Sequence, residues 1–128
     1  MVADHIAAVH AAVEQFNIVG GREGYFDLYD PACEVHGLPP GLPGTYAGLQ
    51  TFYRTLWQAF PDVRITVEDI FGDGASLAVR FDAQGTHTGP NFFAMPTDGK
   101  HTTFFVIMLL RFANGRAVER WWQMSIVE

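Results

Sequence analysis

The chain has 128 residues, 48% of them hydrophobic and only 17% charged, which suits one domain over 1–128 with a sizeable core and argues against disorder. A formal net charge of -6 excludes nucleic acid and an anionic membrane as expected partners, because both need clustered Lys and Arg. No stretch approaches a membrane span, Met1–His10 does not read as a signal peptide, and the lone Cys33 leaves no internal disulfide, so a reducing cytoplasm is expected.

In chain order, Ile6, Val9, Val13 and Phe16 recur at helical spacing and predict a helix over 3–19, stopped by Gly20-Gly21. Residues 22–29 predict a short second helix ending at Asp30-Pro31. Ala32 to Gly37 reads as a first strand, in which Cys33 is a small buried hydrophobe. The Pro- and Gly-rich run 38–44 is a constrained loop. Leu49, Phe52, Tyr53, Leu56 and Phe60 mark a third helix that Pro61 terminates. Strands over 63–71 and 75–87 meet at Gly72-Asp73-Gly74, and strands over 100–112 and 116–126 meet at Asn114-Gly115, a strong hairpin signal. A longer loop covers 88–99. Helices segregated from a run of antiparallel strands predict an α+β domain, in which a curved sheet and three helices enclose a pocket. The 14% aromatic content, costly to expose, belongs in that core or pocket.

Three runs resemble one family in order and spacing: His36-Gly37-Leu38-Pro39 through Gly48-Leu49 to Ala59-Phe60-Pro61-Asp62; Gly85-Thr86-His87-Thr88-Gly89-Pro90 with Pro96-Thr97-Asp98-Gly99-Lys100; and Arg111-Phe112-Ala113-Asn114-Gly115 through Glu119-Arg120-Trp121. Together they are similar to the SnoaL-like polyketide cyclases and ester cyclases of the nuclear-transport-factor-like superfamily. That resemblance implies a conical α+β fold, often dimeric, and a cofactor-independent cyclase, isomerase or dehydratase, although the superfamily also holds members without catalysis. Cyclases of the family use an Asp just after the Trp matched by Trp121. Here Trp122, Gln123, Met124 and Ser125 follow, no Asp occurs after Asp98, and Arg120 stands where the family has His.

His36 is the first catalytic candidate. By resemblance it lies near the position of the base in ketosteroid isomerases, and imidazole is suited to moving a proton near neutral pH. Glu34, two residues back, shares its strand face. Arg120 is the second candidate, able to bind a carboxylate or stabilise an enolate oxygen if its face lines the pocket. Val118, Trp122 and Met124 share that face, and Val106, Met108 and Leu110 share the matching face one strand back. Tyr25, Tyr53 and Trp57 on the covering helices, with His87 and Phe93 at the 88–99 loop, complete the expected substrate-binding set. No His-Glu-x-x-His, Cys pair or phosphate loop is present, so no metal or cofactor is expected. The expected partners are a small hydrophobic organic substrate and a second copy of the chain. A non-catalytic ligand-binding or scaffold domain is the alternative reading.

Overall fold

The computed structural model describes residues 2–127. An α-helix, α1 (Val2–Phe16), leads into a 3-10 segment (Val19–Leu28), strand β1 (Tyr29–Val35) and helix α2 (Tyr46–Ala59). Four strands follow: β2 (Arg64–Gly72), β3 (Ser76–Thr86), β4 (His101–Ala113) and β5 (Arg116–Val127). No helix among the described residues is long and apolar enough to cross a membrane.

The strands form one curved, unclosed sheet in the order β1-β5-β4-β3-β2. The four long strands pair antiparallel, as their hairpin signals predict. β1 instead joins β5 in parallel, so the sheet is mixed rather than wholly antiparallel. Asn114 and Gly115 have φ of 53° and 82°, the left-handed pair that closes a tight hairpin. Along β4 every second side chain is buried: Phe104, Val106, Met108 and Leu110 face the helices. Each such burial stabilises the fold by about 1.5–3 kcal/mol.

Two predicted boundaries move. α1 stops at Phe16, before the glycines, and the Asn17 side chain exchanges two hydrogen bonds of 2.9 and 2.8 Å with the Ile65 backbone of β2. The glycines fall within the 3-10 segment. β1 begins at Tyr29 and runs through Pro31. Proline is tolerated there because β1 is an edge strand and its register with β5 shifts between Tyr29 and Glu34. Tyr29 is therefore a strand residue, not part of a helix.

Candidate functional site

The register of β5 decides what faces the cone. Arg120 lies opposite Leu110 and Trp122 opposite Met108, both interior positions of β4. A bulge beside Arg111 and Phe112 puts Ala117, rather than Val118, opposite Phe112 and fully in the interior. Arg120 is 0% exposed, so its face of β5 is the one turned to the interior.

Its guanidinium is the centre of a buried polar floor beneath the Trp122 ring and itself lines neither of the cavities described below. Nη2 donates to the Tyr53 hydroxyl at 2.6 Å and Nε to the Met108 sulfur at 3.1 Å. The guanidinium carbon sits 4.6 Å from the Trp122 ring centre and 5.4 Å from that of Tyr53. Tyr53 contacts the Tyr25 hydroxyl at 3.1 Å, Tyr25 contacts Tyr29 at 2.5 Å, and Tyr29 donates to the Met108 sulfur at 3.7 Å. Nη1 is buried without a hydrogen-bond partner. Among the described residues no carboxylate pairs with Arg120. Burial is the largest cause that pushes the Tyr25 and Tyr29 phenols above their ordinary range, so both are neutral donors at neutral pH.

Above this floor the interior is nearly closed. A cavity of about 20 Å³ remains, lined by Phe52, Tyr53, Val106, Trp122 and other apolar side chains. A wider apolar recess of about 520 Å³ opens at the mouth between the 37–43 and 88–99 loops. Phe52, Phe92, Trp122 and Met124 line both, so they form the wall between them. The Trp122 ring meets Phe52 edge-on at 4.9 Å, and its indole N–H donates to the Gly37 carbonyl at 2.8 Å. Gly37 has φ +93°, and a Cβ there would lie 2.7 Å from Trp122 Cδ1, so glycine lets the loop reach the indole.

The expectation that His36 opens into the cone is not met. Val35 points inward, so His36 and Glu34, one residue to either side, project from the outer face. His36 Nε2 lies 2.8 Å from Glu119 and 4.0 Å from Glu34, and its ring stacks on Trp121 at 5.2 Å. Arg111 binds the other Glu119 oxygen at 2.8 Å. The Arg111 hydrogen bonds, followed by that of His36, hold the Glu119 carboxyl below its usual range. Glu34, His36 and Glu119 offer ligand atoms within 4.8 Å of one another, a possible cation donor set on the surface. Glu119 is already engaged by Arg111.

Other expected site residues divide. Val106 and Met108 are interior, and Tyr25 is a buried member of the floor. Phe93 stacks on Phe52 at the mouth, 5.7 Å between ring centres. Trp57 is not a cavity residue; it packs against Phe16, Phe26 and Tyr53 among the helices. His87 is buried but bonds the Pro90 carbonyl at 2.8 Å and stacks on Phe60, which fixes the loop rather than facing the cavity. Asp82 lies on the outer face of β3 and Asp98 in the exposed loop, so neither replaces the family Asp at the floor. Reasoning from sequence placed Tyr29 on the second helix and missed Phe52 and Glu119. Glu119 was accessible, because alternation along β5 puts it on the face of Trp121.

A curled, unclosed sheet with covering helices defines a conical α+β fold. The chain belongs to the SnoaL-like polyketide cyclase family, whose sequence pattern matches residues 10–127. Among solved structures it is similar to IdmH of Streptomyces antibioticus, described as a candidate polyketide cyclase, at 30% identity and a TM-score of 0.73, covering 96% of this chain and 91% of that one. AclR of Streptomyces galilaeus, described as a candidate hydroxylase, aligns with a TM-score of 0.83 at 21% identity over 98% of this chain and 91% of its own. A candidate polyketide cyclase of Bacillus cereus aligns at 0.77 and 21% identity over 95% and 74%. No curated protein sequence gives a significant match.

Proposed function

We propose that this protein is a cofactor-independent enzyme that cyclises, isomerises or dehydrates a small polyketide-like or terpenoid-like molecule in its cone. The observation that carries the proposal is the Arg120 guanidinium, buried beside Tyr53 with one nitrogen unpartnered and no carboxylate paired to it. The floor offers donors and no strong base. It therefore supports electrophilic activation, in which Arg120 holds or polarises a substrate oxygen and Tyr53, accepting from Nη2, fixes the guanidinium. The aromatic wall excludes water and shapes the substrate. Substrate entry requires the Trp122–Phe52 wall to move, because the closed cavity is too small for such a molecule. Cytoplasmic placement belongs to the same reading and is supported by the buried free thiol of Cys33.

The test is turnover of a panel of small polyketide-like and terpenoid-like ketones, followed by mass spectrometry and NMR. An isomeric or dehydrated product from the wild type, reduced about a hundredfold or more in Arg120→Gln, is the expected result. Ligands recovered unchanged across the panel would favour the non-catalytic binding reading instead.

A second reading concerns assembly. The outer sheet face exposes Phe105, Ile107, Leu109 and Trp121 at 47%, 55%, 48% and 38%, a contiguous apolar stripe. Charges of both signs flank it, Arg80 with Glu68 and Asp82, and Arg111 with Glu119. Such a face suits a second copy of this chain. Sedimentation at micromolar concentration should give a dimer, and Ile107→Glu a monomer; a wild-type monomer would refute it.

A further inference from the structure

We infer that the cone takes a carboxylic acid with an apolar body, and that Arg120 binds its carboxylate. This rests on the cone being the ligand site and names the class of ligand.

The hydrogen bonds of the floor can be counted. A guanidinium cannot accept, so Arg120 donates to Tyr53. Each phenol has one proton to give. Every hydroxyl is satisfied in one arrangement: Tyr53 donates to Tyr25, Tyr25 to Tyr29, and Tyr29 to the Met108 sulfur. All three phenolic protons are then used, and of the five Arg120 N–H groups only two are engaged, which leaves one on Nη2 and both on Nη1 over, Nη1 being the nitrogen with no partner at all. Arg22 shows how this chain satisfies a structural arginine. It is also buried, and it donates to the carbonyls of Phe16, Pro61 and Val63 at 3.3, 2.8 and 3.2 Å, joining three segments. Arg120 receives no such carbonyl partners. Its neighbours are phenols, a thioether and an indole face.

Charge selects among acceptors. A neutral carbonyl would satisfy Nη1 but leave a full positive charge in a low-dielectric interior. An enolate would neutralise it only during a reaction. A carboxylate does both in the resting complex, and the planar guanidinium matches its geometry. The mouth sets the rest of the ligand. Its lining, including Leu38, Pro39, Phe93, Met95 and Ile126, carries no charged side chain. The apolar body therefore lies in the mouth recess, with the carboxylate beneath the Trp122 wall. The substrate oxygen that Arg120 holds is then a carboxylate oxygen.

The probe set is 4-phenylbutyrate, its methyl ester and its amide, titrated into the wild type and Arg120→Gln. Calorimetry measures affinity, and NMR follows the Trp122 indole N–H, assigned with Trp122→Phe. The acid should bind the wild type about ten- to a hundredfold tighter than ester or amide, the worth of one charge-assisted hydrogen bond. It should shift the Trp122 signal, and Arg120→Gln should level the three ligands. If acid and ester bind equally tightly and both shift Trp122, this inference is overturned while the cone remains a ligand site. If none of the three binds or shifts Trp122, the inference and the cone-site reading fail together. The acid–ester comparison within the wild type keeps the test decisive even if Arg120→Gln does not fold.

Discussion

Arg120→Met separates a ligand-binding arginine from a structural one. The substitution keeps an unbranched side chain and deletes the buried charge. The losses are the charge-assisted bond to Tyr53, about 1.5–3 kcal/mol, and the contact with the Trp122 face, about 1–2 kcal/mol. The gain is relief from holding a guanidinium out of water, several kcal/mol even after relaxation, of which no carboxylate returns any part. Tyr53 keeps a partner in Tyr25 at 3.1 Å, so no hydroxyl is stranded. The balance lies between neutral and about 4 kcal/mol stabilising, as for other buried charges replaced by apolar residues. Thermal unfolding at neutral pH should show a melting temperature unchanged or raised, by about 4 °C per kcal/mol for a chain of this size. Affinity for the acid probe should fall in the same protein. A loss of more than about 3 kcal/mol of stability with ligand affinity preserved would refute the reasoning and make Arg120 a second Arg22.

Two further outcomes follow from the outer face. His36→Gln should leave turnover within about twofold of wild type, because the imidazole projects away from the cone; a drop of about a hundredfold or more would return His36 to the chemistry. The lowered Glu119 pKa gives a contribution to stability that is present above the ordinary carboxylate range and lost as pH falls through the folded-state value. Chemical-denaturant midpoints measured between about pH 6 and pH 3 should therefore fall less steeply in Glu119→Gln than in the wild type, and equal slopes would count against the Arg111–Glu119–His36 link.

Much of the architecture was legible because it is written in local patterns. Alternation along β4 and the Asn114-Gly115 turn specify a hairpin and its two faces, but both faces of β4 are apolar, so which of them turns inward, and with it the position of Arg120 and Trp122, was left open by the sequence. The parallel partner of β1 had no such signal, since no short turn joins it to β5. That gap is why His36 was expected in the cone. Its face depends on where Val35 docks against β5, a contact between distant parts of the chain. Trp57 and His87 were assigned to the pocket from their places on a covering helix and beside the 88–99 loop, yet aromatic and imidazole rings there serve equally well in a helix interface or a pinned loop. The tyrosine relay was hidden for a related reason. Tyr25 and Tyr53 lie on helical segments and Tyr29 opens a strand, and only packing brings their hydroxyls together.

The parallel join of β1 to β5 also has a consequence for the order in which the molecule assembles. β2 through β5 form a meander whose neighbours are joined by hairpins or one loop, so their pairing closes short segments of chain. The β1 join bridges residues 83 apart in the His36–Glu119 pair, and the His36 N–H donates to the Arg120 carbonyl itself at 2.8 Å. Closing so long a loop costs more entropy and places the contact late in folding. Pulse-labelled hydrogen exchange should accordingly protect the amides of β3 and β4 before those of β1. Docking of β1 brings the Tyr29 ring to 6.0 Å from the Arg120 guanidinium, so the last wall around that charge is expected to close when the rest of the sheet is already in place.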